Sequence, residues 1–387
     1  YIESALDKGA IAIVLERPAQ IPGLVQVRVP QSRQALAELS RAFYDYPDRD
    51  LYMIGVTATN GKTTTTSMLR HILTSKDVMT SVIGSVSYSF GDEKKQSVLT
   101  TPESSDLHAM LARQKENGVQ VVSMEVSSIA ESQCRVYGIE YDAVAFLNIT
   151  PDHMPDHGSF EAYYEAKASL VRNVKEGTPV ILNRDEPMVY ALRDETPGQV
   201  ITMGLEVLDT EVGAENLSMP GGIPRFDFVI RRPLKTRRGE AAPGRYPVQL
   251  AVPGRHTVYN AMTALVLAIT YGIAPEDAVA AISSFPGVER RLQIIYQKEF
   301  TMIDDHVSDE DNTRKMLEAL EVMTEGRPVK IIYAVRGNRG VLVNREVIGQ
   351  FADFRNRINW ARFVVTDSTD VARPRDVVHK EEHDAVI

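Results

Sequence analysis

The chain has 387 residues, 43% hydrophobic and 25% charged, the balance of an ordinary soluble globular protein of two or three domains. A formal net charge of -9 argues against a nucleic-acid binder working through a basic field, and no apolar run reaches the roughly 20 residues of a membrane span. The single cysteine, Cys134, rules out an internal disulfide and fits a reducing compartment; no signal peptide opens the sequence, so a cytoplasmic protein is expected.

The first element expected is a helix with Ile2, Ala5 and Leu6 on one face, stopped at Gly9 and followed by a strand over Ala10–Leu15. VQVRVP reads as a second strand, and SRQALAELSRAFYDYP as a helix closed by Pro47. This piece is too small for a large core and is taken as an incomplete N-terminal domain, residues 1–48. From Leu51 the rhythm changes. LYMIGVTA is a continuous apolar run, the mark of a parallel strand buried on both faces. The helix TTTTSMLRHILTSK follows, then strands VMTSVIG, VQVVSMEVSS and YDAVAFLNIT with helices between, a doubly wound α/β pattern. Short strands with Gly and Pro breaks occupy residues 195–252, where TRRGEAAPGR reads as a hairpin tip or a mobile loop. The helices YNAMTALVLAITYG and PEDAVAAISSFPG close a central domain, residues 49–288. A third unit, residues 289–387, reads β-α-β-α-β from FTMIDDH to ARFVVTD.

The first central strand runs into VTATNGKTTTT, Val56–Thr66. The general phosphate-loop pattern is G-x-x-x-x-G-K-[ST], and Val56 stands where its first glycine would be. The remainder is in order. Asn60-Gly61 supplies the permissive turn, Lys62 a charge for the β- and γ-phosphates, and Thr63 a hydroxyl for Mg²⁺. Strand, turn and helix together bring unpaired backbone N–H groups and a positive helix end to one point. Thr59, Asn60, Gly61, Lys62, Thr63 and Thr64 are therefore candidate nucleotide-binding residues, against the plainer alternative of a β-α turn with a surface lysine.

Glu125 ends an apolar strand beside this loop, where a carboxylate can bind Mg²⁺ or simply meet solvent. His153 follows another strand end, in Pro-Asp-His, a setting more often structural than ligating. Lys167 lies among apolar positions on the helix YYEAKASL, where a lysine can snorkel. No convincing Ser-His-Asp or Cys-His arrangement is present, and Cys134 has no evident base.

TATNGKTT (Thr57–Thr64), LTTPES (Leu99–Ser104), MEVSS (Met124–Ser128) and NITPDHMPDHGSFEAYYEAKASL (Asn148–Leu170) resemble, in this order, the Mur ligases. The likeness is greatest to the MurE-type branch, which adds the third residue of the peptidoglycan stem, and it covers nearly the whole chain. The shortened loop is that family's own, usually TGTNGKTT, with Ala58 a departure at its first glycine. The resemblance implies a three-domain α/β architecture with a central doubly wound parallel sheet and a C-terminal Rossmann-like domain. It implies ATP and two Mg²⁺ ions, with Lys62, Glu125, His153 and Lys167 as catalytic residues. Thr63, Glu125, His153 and Lys167 would serve the metals, Lys167 as a carbamate. Thr100, Thr101, Ser127, Gln133 and Arg135 fall at positions for the UDP-muramoyl substrate, and Asn260, Arg291 and Asp304 at nucleoside-contacting positions.

The reaction so implied is phosphorylation of the UDP-N-acetylmuramoyl peptide's carboxylate by ATP, then displacement of phosphate from the acyl phosphate by an amino acid's amine. It needs no protein nucleophile. The partners are that peptide and a free amino acid, with a monomer expected and neither nucleic acid nor membrane. The third domain departs from the family pattern: Asp304-Asp305-His306 replaces Asp-Tyr-Ala-His, and RGNRGVLVNRE keeps Gly337 and Arg339 but lacks both acids of the usual segment. Asp367-Ser368-Thr369-Asp370 stands where diaminopimelate-selecting members carry Asp-Asn-Pro-Arg, and Ile129 replaces the usual histidine of MEVSSHA. Which amino acid is added stays open. Two other readings also stay open: a relative with another acyl acceptor, as in folylpolyglutamate or cyanophycin synthases, and a non-catalytic ATP-binding paralogue.

Overall fold

The structure is a computed structural model; it describes residues 2–384 and 386, apart from 22, 86, 91–92, 98, 153, 308, 336–339 and 367–377. The N-terminal unit holds α1 (Ile2–Asp7), β1 (Ala12–Leu15), β2 (Val25–Arg28) and α2 (Ser32–Phe43). The central unit opens with β3 (Tyr52–Thr57), α3 (Lys62–Thr74), β4 (Thr80–Ile83), β5 (Ser87–Phe90), β6 (Glu93–Gln96), α4 (Ser104–Glu116) and β7 (Val121–Glu125). It continues through α5 (Ser128–Ser132), β8 (Ala143–Phe146), α6 (Met154–His157), α7 (Phe160–Arg172), β9 (Pro179–Asn183), α8 (Pro187–Ala191) and β10 (Gln199–Gly204). Then come β11 (Val212–Ser218), β12 (Arg225–Ile230), β13 (Leu234–Thr236), β14 (Gly239–Ala241), β15 (Gly244–Gln249), α9 (His256–Tyr271) and α10 (Pro275–Ile282). The C-terminal unit comprises β16 (Gln293–Gln297), β17 (Thr301–Asp304), α11 (Glu310–Thr324), β18 (Val329–Ala334), α12 (Gly340–Asp353), β19 (Trp360–Thr366) and α13 (Lys380–Asp384).

One sheet of eleven strands, ordered β15-β12-β11-β10-β9-β8-β3-β7-β4-β5-β6, carries the central unit. β3 lies within it, parallel to β7 on one side and β8 on the other. Its apolar run follows from covering on both faces, because alternate side chains enter different cores. Ile54 and Val56 pack with Met68, Leu69 and Ile72 of α3 and with α9, whereas Met53 packs with Leu107 and Leu111 of α4 and Leu170 of α7. After β3 the chain crosses to β4 and later returns to β8 on the opposite side. The carboxyl ends of β3, β7 and β8 thus meet at a topological switch point, where open α/β sheets form ligand crevices.

The short strands of the 195–252 segment extend this same sheet antiparallel through β11, β12 and β15. Within TRRGEAAPGR, Arg237 and Arg238 form the tip of the β13–β14 hairpin. The C-terminal unit differs from the β-α-β-α-β expectation at its first strand. β17 pairs antiparallel with β16, and β18 pairs parallel with β19 in a separate sheet. The reason is visible in burial: β17 is exposed or half-buried throughout, whereas a central parallel strand must be covered on both faces. No helix among the described residues is long and apolar enough to cross a membrane.

Candidate functional site

The loop after β3 is held by its neighbours before any ligand is considered. Gly61 caps α3 with φ of 98°, a left-handed conformation that favours glycine, and a Cβ there would run into Asn260 Oδ1 of α9. Asn148, just past β8, grips Asn60 on both sides: its Oδ1 accepts from Asn60 N at 3.0 Å and its Nδ2 donates to Asn60 O at 2.8 Å. Thr59 Oγ1 accepts from Thr150 N at 3.0 Å and lies 3.0 Å from Tyr163 OH. Lys62 Nζ donates to Ala58 O at 2.7 Å and Thr59 O at 3.0 Å, so the ammonium is folded over its own loop. Burial pushes Lys62 below the ordinary lysine range, while Glu125, Asp152 and Asp309 pull it back up. Thr63 is buried on the first turn, and Thr64 beside it lines the same cavity.

Glu125, at the end of β7, is buried and accepts from Ser85 N at 2.9 Å and Ser85 Oγ at 3.0 Å. Lys167 is 2% exposed in mid-α7, its Nζ 2.8 Å from Ala58 O and 4.8 Å from the centre of the Tyr163 ring. Its ammonium is held well below the usual range, first by burial and then by the charge of Lys62. So Lys167 is no snorkelling surface lysine. His153 lies outside the described residues. Among the described residues no group of three or more His, Cys, Asp or Glu side chains could hold a metal.

A second cluster sits on the other side of Glu125. Thr101 Oγ1 donates to Glu125 O at 2.8 Å and accepts from Ser127 N at 3.1 Å. Ser127 Oγ caps α5 by accepting from Ala130 N at 3.2 Å. Arg135 is buried; Nη1 donates to Thr101 O at 3.1 Å, and Nη2 to Gln133 Oε1 at 2.8 Å and Glu103 Oε1 at 2.9 Å. Among the described residues, buried Arg135 Nε has no hydrogen-bond partner. Thr100 Oγ1 lies 3.1 Å from Ser85 Oγ, linking this cluster back to Glu125.

These groups line one cavity of about 870 Å³ between the central and C-terminal units. The whole loop from Thr59 to Thr64 lines it, with Thr100, Glu125, Ser127 and Lys167. Asn260 and Arg291 line it too; Thr101, Gln133, Arg135 and Asp304 are not among the lining residues. Asp304 lies instead 4.0 Å from exposed Arg290. Asp305, one residue on, lines the cavity; its Oδ1 accepts from Leu292 N at 2.9 Å and its buried Oδ2 has no partner among the described residues. Burial raises the Asp305 carboxyl, against the lowering effect of that backbone bond and of Arg291. Sequence reading passed over Asp305 because two adjacent acids at a strand end leave the face undecided. It also gave no role to Asn148 or Tyr163, although Tyr163 precedes Lys167 by one helical turn.

A glycine turn and a lysine-bearing helix at the switch point of a parallel sheet, facing a polar interdomain cavity, define an α/β protein of the phosphate-loop class. The family model for the Mur ligase middle domain matches residues 56–268. A UDP-N-acetylmuramoyl-L-alanyl-D-glutamate--2,6-diaminopimelate ligase of Halalkalibacterium halodurans is 31% identical over 390 residues, spanning 100% of this chain and 76% of the relative. One of the same name from Geobacillus thermodenitrificans is 35% identical over 350 residues, 88% of this chain and 68% of its own. The chain belongs to the Mur ligase family. Among solved structures, one ligase of that same name aligns with a TM-score of 0.72 at 20% identity, covering 99% of this chain and 88% of that one. The folylpolyglutamate synthase of Mycobacterium tuberculosis, complexed with ADP and AMPPCP, aligns at 0.69 with 14% identity, 91% of this chain and 82% of that one. These two likenesses establish the shared fold.

Proposed function

We propose that this chain joins an amino acid to a UDP-N-acetylmuramoyl peptide in an ATP-dependent reaction, making a peptidoglycan precursor as a cytoplasmic monomer of three domains with the boundaries given above. The observation that carries the reading is one cavity walled by the phosphate loop, Glu125, Lys167 and the face bearing Ser127. Sequence identity to ligases named for UDP-N-acetylmuramoyl-L-alanyl-D-glutamate supports the acceptor.

The residues present fit a nucleoside triphosphate with Mg²⁺. The cradle at Gly61 has no room for a side chain, and among the described residues Lys62 has only carbonyl oxygens as its hydrogen-bond partners. Thr63 and Glu125 offer the hard oxygen donors that Mg²⁺ takes, and so few carboxylates suit an ion that shares phosphate oxygens. Bound there, Mg²⁺ would offset charge on the phosphates and the attacking carboxylate. Lys62 orients the terminal phosphates and stabilises the charge that develops on them. Thr100 and the Ser127 hydroxyl, which line the cavity, position the UDP-muramoyl substrate so that its carboxylate faces the phosphate loop, and Arg135 braces Thr101 and Gln133 behind them. Asn260, Arg291 and Asp305 hold the nucleoside side of the cavity. The C-terminal unit excludes water, protecting the acyl phosphate until the amine arrives.

A lysine ammonium cannot ligate a second ion, but Lys167 suits carbamoylation. Its depressed ammonium supplies neutral amine, whose nitrogen can attack CO₂ and release one proton to give a carboxylate-like group. The test of the whole reading is phosphate release with ATP, Mg²⁺ and UDP-N-acetylmuramoyl-L-Ala-D-Glu across a panel including lysine, ornithine and meso-diaminopimelate. Release dependent on one amino acid, with a matching mass gain, is expected; release indifferent to the panel, or none, would contradict it.

A further inference from the structure

The phosphate loop is held from two directions, and the second is supplied by the C-terminal unit. Asn148 fixes the Asn60 backbone from the central sheet. The Asn60 side chain instead donates Nδ2 to Asp311 Oδ2, 3.3 Å away and 251 residues further along the chain. The same oxygen takes Lys315 Nζ at 2.6 Å, while Oδ1 takes the Arg314 guanidinium. Two donors on one oxygen place the Lys315 ammonium within about 6 Å of the loop's amide, and Lys315 lines the cavity. Asp311 is firmly part of its own unit. Asp309 caps α11 by accepting from Asn312 N at 2.9 Å, and Glu310 accepts from Gln350 of α12 at 2.8 Å. Its carboxylate is only 13% exposed, more enclosed than an ordinary surface pair one helical turn apart.

We propose that Asp311 is a positioning residue coupling the C-terminal unit to the phosphate loop: it orients Asn60 and holds Lys315 ready for the phosphates of a bound nucleotide. This rests on the nucleotide reading above. The coupling is made only when α11 lies against the loop, so nucleotide affinity reports interdomain docking. With Asp311 altered, Asn60 loses its acceptor and Lys315 its anchor, although neither side chain is itself changed.

Calorimetric titration of the full chain with Mg·ADP tests this, using wild type, Asp311→Asn, Asp311→Ala, Asn60→Ala and the Asn60→Ala/Asp311→Ala pair. Asp311→Asn keeps the side chain's shape and guards against misfolding as an explanation. Each Asp311 variant is expected to weaken Mg·ADP by about 3- to 10-fold, and the double variant to lose clearly less than the product of the two single losses, its loss beyond Asn60→Ala being the share of Lys315. A merely structural role for Asp311 in α11 would give losses that multiply. Multiplying losses, or Asp311 variants that bind like wild type, would overturn the coupling while leaving the nucleotide reading intact. A wild-type chain that binds no Mg·ADP would overturn both.

Discussion

Buried Lys167 and half-buried His256 show how side-chain environment sets chemistry at single positions. Lys167 releases its proton far more readily in the folded chain than in the unfolded one, so the unfolded state binds more protons at neutral pH. Stability must then rise with pH toward the ordinary lysine value of 10.5, and burying this side chain is a cost below that pH. Lys167→Met is therefore expected to abolish ligation yet raise the Tm in bicarbonate-free buffer at pH 7; a lower Tm would contradict this. His256 is a second case. Burial, reinforced by the charge of Lys315, pushes its imidazole down from 6.5 to about 4. The folded state resists that proton, so stability is full above pH 6.5 and is lost as pH falls toward 4, by up to about 3 kcal/mol. Chemical denaturation of wild type and His256→Gln across this range should show the loss in wild type and a flatter profile in the variant. Neither shift was legible in the sequence, because each depends on cover from residues distant in the chain.

At the scale of elements, the turn between β3 and α3 was the most readable feature. Its apolar run, its Asn-Gly and the following helix are all local, and the structure places each where periodicity put it. What closes against it was not readable: the Asn260 amide beside Gly61 comes from a helix nearly 200 residues away. Gly61→Ala should cost about 1–2 kcal/mol in backbone strain and, by displacing Asn260, weaken Mg·ADP by about tenfold or more. Retained affinity would mean that the loop does not depend on this close approach. The β16–β17 hairpin shows the opposite limit. FTMIDDH has the length and composition of a strand, but whether it pairs parallel or antiparallel is decided by a partner the strand itself does not specify.

Across the whole molecule, the units are joined by a few polar contacts with no sequence signature. Arg41 of α2 meets Asp48 of its own unit at 2.7 Å and reaches Glu140 of the central unit at 3.3 Å; the Arg41 and Asp48 side chains are 7% and 0% exposed. Removing one partner of such a pair leaves a buried charge unpaired, so Arg41→Ala should cost about 3–5 kcal/mol and expose the N-terminal unit to limited proteolysis. Wild-type protection in the variant would show that apolar packing alone holds this unit in place. Family motifs announced the central domain's chemistry, whereas the contacts that bring three units around one cavity emerge only from the fold. The proposed ligation requires that the cavity activate a carboxylate by phosphorylation. It is tested most directly with oxygen-18 in the acceptor's terminal D-Glu carboxylate. One labelled oxygen is expected in the phosphate released during amide formation; phosphate free of label would contradict an acyl phosphate.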